Sequence, residues 1–288
     1  MALFDGVYVA IVTPFKDDLS VDIPRFKEHI NWLIDAGVDG IVPTGSCGEY
    51  ASLDDAERQT VIETVAEVTQ GRVPFVVGVA APTTQKVVQW AQLGKRLGAQ
   101  GLMALPPVNY RPTWAETVAH YRALDEVGVP IIIYNNPHDT AVDIAPERLC
   151  ELEALKSIRA VKEFSGDVRR ITEIQQVTSL EVLAGADDLL VESIQAGATG
   201  WIAGMANIVP RASVELYRLA RAQKNQEAWD LYRKLLPLLR YDSTPRLVQV
   251  IKYGMELVAR PAGPTRPPRL PLADPDRENI RRALAALD

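Results

Sequence analysis

Cysteine is scarce in this sequence, with only Cys47 and Cys150 among 288 residues. So few cysteines exclude a disulfide-stapled scaffold and fit a reducing compartment, and we therefore expect a cytoplasmic protein. The sequence has no CxxC pair and no Cys/His cluster, so we predict no metal site. No apolar run approaches the roughly 18 residues that a membrane helix needs. The N-terminal segment has no basic region and no small-residue cleavage site, so we expect neither a membrane span nor a signal peptide.

Basic residues are also in the minority. The 31 Lys and Arg are outnumbered by 37 Asp and Glu, which gives a net charge of −6. A mildly acidic chain has no electrostatic reason to bind nucleic acid or an anionic membrane, so we expect a small-molecule partner. With 47% apolar and 24% charged residues, the composition is that of an ordinary globular protein.

Short β-branched runs alternate along the chain with longer stretches of helical period. Glycines such as Gly37, Gly98, Gly128 and Gly197 follow the helical stretches, where a left-handed C-cap favours this residue. Strand, helix and strand at this spacing are typical of βαβ units on a parallel sheet. The predicted strands are residues 7–12, 40–42, 73–79, 101–104, 130–134, 158–162, 180–184 and 200–203.

Eight βα units in about 200 residues are what an α/β protein of the (β/α)8 TIM barrel type requires. A doubly wound sheet is the alternative, although it usually has fewer strands. We predict that residues 1–207 form the barrel and carry the active site. Residues 208–288 are predicted to be a helical region packed on the barrel, a C-terminal three-helix extension followed by one last helix. The helices of this region are predicted at 211–222, 226–239, 245–258 and 276–287.

Active sites of such barrels lie at the C-terminal ends of the strands, and Lys162 ends the sixth predicted strand after the apolar residues Ile158, Ala160 and Val161. A buried lysine is costly unless it is paired or neutral, and a neutral amine is a nucleophile toward carbonyls. The alternative is a lysine paired with Glu163 or extended to solvent at the rim. Tyr134 ends the preceding strand, where a phenol can move protons for an amine, although a packing role is equally open.

The second strand is followed by the turn GSCGE, which contains Gly45, Ser46 and Cys47. Its small residues and free backbone N–H groups suit a carboxylate. The turn lacks the spacing of either nucleotide fingerprint. Cys47 has no local signature of a nucleophile, and we interpret it as an inert small residue.

The GSCGE turn, the YNNP turn at residues 134–137 and the VKE strand end at 161–163 together resemble the dihydrodipicolinate synthase/N-acetylneuraminate lyase family. The resemblance runs from Gly6 to the end of the chain. It implies a (β/α)8 barrel, a homo-oligomer (tetramer or dimer), and a lysine Schiff base with a 2-oxo acid that needs no cofactor. Lys162 would be the Schiff-base lysine, Tyr134 the proton-shuttling phenol, and Ser46 the hydroxyl bonded to that phenol. Further substrate contacts are assigned to Cys47, Gly45, Ile202, Asn109, Tyr110 and Asp139.

Three positions depart from the pattern of the synthase itself. Ser46-Cys47 stands where the synthase has Thr-Thr, and Val108 falls near its intersubunit tyrosine, with Tyr110 in a different register. Asp139 stands where the synthase has an arginine for the carboxylate of its second substrate, and an acid would repel that group. These departures argue against dihydrodipicolinate synthesis.

Several long segments instead look like the 1-pyrroline-4-hydroxy-2-carboxylate deaminases of hydroxyproline breakdown. We therefore predict a Schiff-base lyase or deaminase that converts this cyclic imine to 2,5-dioxopentanoate and ammonia. The alternatives are a 2-keto-3-deoxy sugar-acid aldolase or dehydratase, a 4-hydroxy-tetrahydrodipicolinate synthase using pyruvate, or a catalytically dead 2-oxo-acid sensor. The residues expected around the distal end of the substrate are Val108, Asn109, Tyr110, Asn136, His138, Asp139 and Asn207. The similar segments are GLMALPPVNY, YNNPHDTAVDIAPE, VRRITEI, DDLLVESIQAGATGWIAGMAN, LYRKLLPLLRYDS, LVQVIKY and RPPRLPL.

Overall fold

Eight short parallel strands form the centre of the computed structural model, which describes residues 2–287. Almost every strand residue is buried, as expected when helices cover a parallel sheet. The strands predicted from the sequence are all present, with ends that differ by up to three residues. They are β1 Gly6–Ala10, β2 Gly40–Val42, β3 Val76–Gly78, β4 Gly101–Ala104, β5 Ile131–Asn135, β6 Ile158–Glu163, β7 Glu181–Ala184 and β8 Gly200–Ala203.

The sheet closes into a barrel. Its strands follow one another in chain order from β3 to β8, β8 pairs with β1, and β1 pairs with β2. A parallel bridge between Ile41 and Phe75 joins β2 to β3, and the Gly78 N–H donates to the carbonyl of Pro43 at 3.0 Å. The chain therefore has the predicted (β/α)8 TIM barrel, in place of a doubly wound sheet.

Helices connect consecutive strands on the outside of the barrel. The N-cap of the second helix is Asp54, which forms a capping box with Glu57. The seventh helix is preceded by a separate 3-10 turn, Asp187–Leu189. The helices are α1 Ile23–Asp35, α2 Asp55–Thr69, α3 Thr84–Arg96, α4 Trp114–Asp125, α5 Pro146–Glu153, α6 Arg169–Val177, α7 Leu190–Gln195 and α8 Pro210–Arg221.

Three further helices complete the chain: α9 Asn225–Leu239, α10 Leu247–Leu257 and α11 Asp274–Ala285. Helix α8, which the sequence placed in the C-terminal region, packs on β1 and α7 and so covers the barrel as its eighth helix. The extension consists of α9, α10 and α11, with α9 packed on α7, α8 and α11.

The proline-rich segment between α10 and α11 crosses to the barrel. Gly263 has φ +70°, and a Cβ there would lie 1.8 Å from the carbonyl oxygen of Phe15, so only glycine fits this approach. Arg266 donates to the carbonyls of Leu19 and Ser52 and pairs with Glu57. This segment therefore ties the extension to the loops after β1 and β2. No helix among residues 2–287 is long and apolar enough to cross a bilayer.

Candidate active site

Lys162 lies on β6 inside the barrel and is only 6% exposed. It is the register partner of Tyr134 on β5, and its Nζ lies 4.2 Å from the centroid of the Tyr134 ring. Within residues 2–287, no carboxylate lies within ion-pairing distance of Lys162. The pairing with Glu163 that was the alternative interpretation is absent, because Glu163 accepts hydrogen bonds from Asn135 Nδ2 at 3.0 Å and from the Ser165 N–H at 2.6 Å. Burial lowers the pKa of Lys162, which favours the neutral amine.

Tyr134 ends β5 with its phenol in the same cavity as Lys162. Its Oη accepts a hydrogen bond from Nδ2 of Asn136 at 3.1 Å, and the same Nδ2 donates to Asp139 at 2.9 Å. The predicted hydrogen bond to Ser46 is not formed in the described part of the chain. Burial raises the pKa of Tyr134 well above its ordinary value, which favours the protonated phenol.

The turn after β2 has a strained backbone. Thr44 and Glu49 both have positive φ, +56° and +54°. Gly78 allows this turn to approach β3, because a Cβ at that position would lie 2.6 Å from the Thr44 carbonyl oxygen. Ser46 and Cys47 line the cavity, and their N–H groups donate to no acceptor elsewhere in residues 2–287. Free N–H groups in such a turn are suited to bind a carboxylate.

Glu49, the last residue of the GSCGE turn, is held by the C-terminal region. Its carboxylate pairs with Lys252 Nζ at 2.8 Å and accepts from the Arg266 N–H at 3.0 Å. Nη1 of Arg269 lies 3.5 Å from Oε2 of the same carboxylate. Lys252 in turn donates to the Pro264 carbonyl at 2.8 Å. The extension therefore fixes the position of the turn that carries Ser46 and Cys47.

A cavity of about 580 Å³ opens above Lys162 and Tyr134, a volume typical of small-molecule sites. Of the predicted substrate residues, Cys47 and Asp139 line it, as does His138. Burial raises the pKa of Cys47 to about 12, so the thiol is neutral and the interpretation of an inert residue agrees with its environment.

Other predicted contacts lie elsewhere. Gly45, Ile202, Val108, Asn109 and Tyr110 are not among the residues that line this cavity, and Tyr110 is 51% exposed. Their assignment to substrate binding stays a prediction.

Two of the distal residues serve the framework instead. Asn136 is buried and orients Tyr134 through its hydrogen bond to the phenol oxygen. Asn207 bonds to the Val12 N–H at 3.1 Å and to the Ala10 carbonyl at 2.9 Å, which joins β1 to the segment after β8.

Sequence reasoning missed one whole wall of the cavity, which the extension supplies. Asp242, in the loop between α9 and α10, is the most notable member, because it is a buried carboxyl group facing the same cavity as Lys162. The only signal was a short polar stretch between two helices, and nothing in it indicates contact with the barrel. The wall residues are Asp242, Ser243, Thr244, Pro245, Leu247, Val248 and Arg269.

The site thus combines a buried lysine of lowered pKa, an adjacent protonated phenol and a turn of free N–H groups. A neutral buried amine can attack a carbonyl carbon, and free N–H groups of a turn can bind a carboxylate. These features on a (β/α)8 barrel define the class of lysine Schiff-base lyases.

Comparisons with known proteins give the family. The model of the dihydrodipicolinate synthetase family matches residues 3–287. The 4-hydroxy-tetrahydrodipicolinate synthase of Methanospirillum hungatei is 32% identical over 294 residues, which cover 99% of this chain and 100% of the relative. A putative dihydrodipicolinate synthetase from Pseudomonas aeruginosa superposes with a TM-score of 0.95 at 32% identity, over 99% of this chain and 100% of that one. A prophage protein of E. coli K12, solved in complex with pyruvate, has a TM-score of 0.93 at 26% identity and covers 99% of both chains.

The chain belongs to the dihydrodipicolinate synthetase family. Enzymes of this family are lyases that join a lysine to pyruvate as a covalent Schiff base and use neither a metal nor an organic cofactor. The resemblance seen in the sequence is therefore confirmed at the level of the family.

Proposed function

We propose that this chain is a Schiff-base lyase of 2-oxo acids in which Lys162 is the nucleophile. The observation that carries the proposal is a buried lysine without an ion-pair partner beside Tyr134, in a cavity of about 580 Å³. The pyruvate bound to the structural relative from E. coli K12 supports this substrate class. A protein that only senses 2-oxo acids would have no need of the lysine and phenol together.

The reaction begins with attack of the neutral Lys162 amine on C2 of the oxo acid, whose carboxylate rests on the N–H groups of Ser46 and Cys47. The carbonyl oxygen leaves as water, and the protonated imine that results withdraws electrons from C3. A proton then leaves C3, with Tyr134 as the residue placed to carry it. The enamine attacks a second carbonyl compound or expels a leaving group, and hydrolysis frees Lys162.

Synthesis of 4-hydroxy-tetrahydrodipicolinate is the first candidate reaction, because the relatives at 32% identity carry that name. The product has seven carbons, so pyruvate would join a four-carbon amino acid aldehyde, aspartate semialdehyde. The relatives support this reaction better than the deaminase expected from the sequence.

Deamination of 1-pyrroline-4-hydroxy-2-carboxylate is the second candidate, and Asp139 favours it. This acid lines the cavity where the synthase has its carboxylate-binding arginine, and a second carboxylate would be repelled there. In this reaction Lys162 attacks C2 of the cyclic imine and ring opening transfers the imine to the enzyme. After C3 loses a proton, the 4-hydroxyl leaves as water and a C3=C4 double bond forms. Transfer of protons from C5 to C3 converts the C5 amine to an imine, and hydrolysis at C5 and C2 then releases ammonia, 2,5-dioxopentanoate and free Lys162.

One experiment separates the candidates. Purified enzyme is given pyruvate with aspartate semialdehyde, and in a second reaction 1-pyrroline-4-hydroxy-2-carboxylate, with products read by mass spectrometry. Lys162→Ala is the inactive control, and Lys156→Ala removes an exposed lysine nearby as the matched control. Product from one substrate set alone, lost in Lys162→Ala, selects that reaction. If neither substrate set is converted, the sugar-acid aldolases and dehydratases remain as the candidate functions. Full activity in Lys162→Ala refutes the assignment of Lys162 as the nucleophile.

We also propose a homo-oligomer and a cytoplasmic location. Tyr110 is large, aromatic and 51% exposed on the loop after β4, which would suit contact with a second copy of the chain. Both Cys47 and Cys150 are free thiols, as is usual in a reducing compartment. Light scattering of the purified protein measures the oligomeric state, and a monomer would refute the first proposal.

A further inference from the structure

Asp242 is a buried carboxyl group that the mechanism above does not use. It lies in the loop between α9 and α10, is 6% exposed and lines the cavity above Lys162. Its Oδ2 accepts a hydrogen bond from the Asp187 N–H at 3.1 Å. Its Oδ1 lies beside Gly204, because a Cβ added to Gly204 would be 2.7 Å from this oxygen. No donor among residues 2–287 forms a hydrogen bond to Oδ1. One oxygen of this carboxyl is therefore anchored, and the other is free to exchange a proton.

The neighbouring carboxyl, Asp187, is bonded very differently. It accepts from Trp201 Nε1 at 2.8 Å, from the Met205 N–H at 2.6 Å and from the Gly204 N–H at 3.1 Å. Three donors stabilise its ionised form. Burial still raises the pKa of Asp187 to about 6. Asp242 has one such donor where Asp187 has three, so of the two it is the carboxyl that more readily holds a proton.

The barrel order places Asp242 across Lys162 from Tyr134. Tyr134 is on β5, and Lys162 is on β6, between β5 and β7. Asp242 contacts the segments that follow β7 and β8, through Asp187 and Gly204. An imine on Lys162 would therefore have one proton-carrying group on each side.

We propose that Asp242 is a second proton-transfer residue of this site, which carries protons between the nitrogen of Lys162 and the oxygen that leaves as water. This inference rests on the proposed Schiff-base function. The neutral amine attacks the carbonyl carbon, and the π electron pair moves to oxygen, which takes the proton of the Asp242 carboxyl. The Asp242 carboxylate then removes one proton from the attached nitrogen and returns it to the hydroxyl. The C–O bond breaks, water leaves, and a protonated imine remains beside an Asp242 carboxylate.

The charges around Asp242 agree with this role. Burial, and then the charge of Asp187, raise the pKa of Asp242 well above its ordinary value, while burial lowers that of Lys162. Both shifts favour a neutral amine and a protonated carboxyl in the free site. The ionisable groups that face Asp242 are Lys162 from β6, Asp187 and Asp188 after β7, Tyr134 from β5 and Cys47 after β2.

The test is the rate of imine formation in Asp242→Asn. The amide keeps an oxygen for the Asp187 N–H but cannot carry a proton. Full-length enzyme is mixed with pyruvate, quenched with borohydride at successive times and analysed by intact mass, across a range of pH. We expect the adduct to form about 100-fold more slowly, with the pyruvate concentration at half-saturation unchanged and one limb of the pH profile lost. Asp230→Asn, which changes an exposed carboxyl paired with Arg233 on the surface of α9, should behave as wild type.

A wild-type rate and pH profile in Asp242→Asn would overturn the proposal. Absence of any adduct in the wild-type enzyme would instead refute the Schiff-base function itself. Infrared difference spectroscopy of the wild-type enzyme provides a measurement that does not depend on folding of the variant. Addition of pyruvate should remove a carboxylic acid C=O band as Asp242 becomes ionised, and an unchanged band would also overturn the proposal.

Discussion

Replacement of Glu49 by Gln tests whether the C-terminal extension holds the GSCGE turn in place. The carboxylate is fully buried and pairs with Lys252, whose side chain is 3% exposed. In Glu49→Gln the Lys252 ammonium loses its ion-pair partner. It keeps the hydrogen bond to the Pro264 carbonyl and the contact with the Phe15 ring, whose centroid is 4.1 Å from Nζ. We expect both a loss of stability and a looser turn around Ser46.

The magnitude follows from the burial of the pair. Removal of one partner of a buried ion pair costs about 3–5 kcal/mol. Burial already lowers the pKa of Lys252 to about 8 even though the Glu49 charge raises it. Without that charge the lysine can lose its proton, which limits the cost to the lower end of the range, about 3 kcal/mol. For a chain of this size each kcal/mol shifts Tm by about 2 °C, so we expect a fall of about 6 °C.

The assay is a thermal scan together with the pyruvate KM of imine formation, which should rise in Glu49→Gln. Asp230→Asn is the matched control, because Asp230 pairs with Arg233 at the surface, where both are more than half exposed, and should change stability by less than about 1 kcal/mol. The double variant Glu49→Gln/Lys252→Met should recover most of the lost Tm, since a buried pair can be replaced by apolar groups at little cost. A Tm shift in Glu49→Gln no larger than in Asp230→Asn would refute the reasoning.

Three further outcomes follow from the structure. Tyr134→Phe should lower turnover about 100-fold while pyruvate binding is retained, and steady-state kinetics with an unchanged kcat would contradict it. Iodoacetamide at neutral pH should alkylate exposed Cys150 but not buried Cys47, whose pKa is raised to about 12; peptide mass mapping that finds Cys47 modified would contradict this. Burial lowers the pKa of His29 and of His120 to about 4, below the unfolded value of about 6.5. The unfolded chain therefore binds more protons between pH 6.5 and 4, and each histidine should reduce the free energy of unfolding by about 1.4 kcal/mol per pH unit as pH falls through that window. Urea unfolding measures this, and stability that rises on acidification would refute it.

The barrel could be predicted from the sequence because short apolar strand-like runs alternate clearly with longer stretches of helical period. Apolar runs such as residues 7–12 have no polar alternation, as buried parallel strands require. Strand ends were less certain: residues 73–79 were predicted, but β3 is Val76–Gly78. Hydrophobicity marks what is buried, whereas the pairing of backbone groups decides where a strand ends.

The candidate catalytic residues inside the barrel could also be predicted from the sequence. Lys162 and Tyr134 are unusual side chains at strand ends, and parallel neighbours bring strand ends together. Their pairing across β5 and β6 follows directly from chain order.

The outer part of the site could not be predicted, because it depends on contacts between residues far apart in the chain. Asp242 and Arg269 reach the cavity only because the extension packs across the mouth of the barrel. Tyr110, on the loop after β4, is 51% exposed, and its assignment to substrate binding stays a prediction. Local patterns carry no information about such long-range packing.

The most direct test of the central claim is covalent trapping at Lys162. Wild-type enzyme, Lys162→Ala and Lys156→Ala are incubated with pyruvate and borohydride, and peptide mass spectrometry locates the adduct. The account predicts a single reduced adduct on Lys162 in the wild type and in Lys156→Ala, and none in Lys162→Ala. An adduct on another lysine, or trapping that persists in Lys162→Ala, would contradict it.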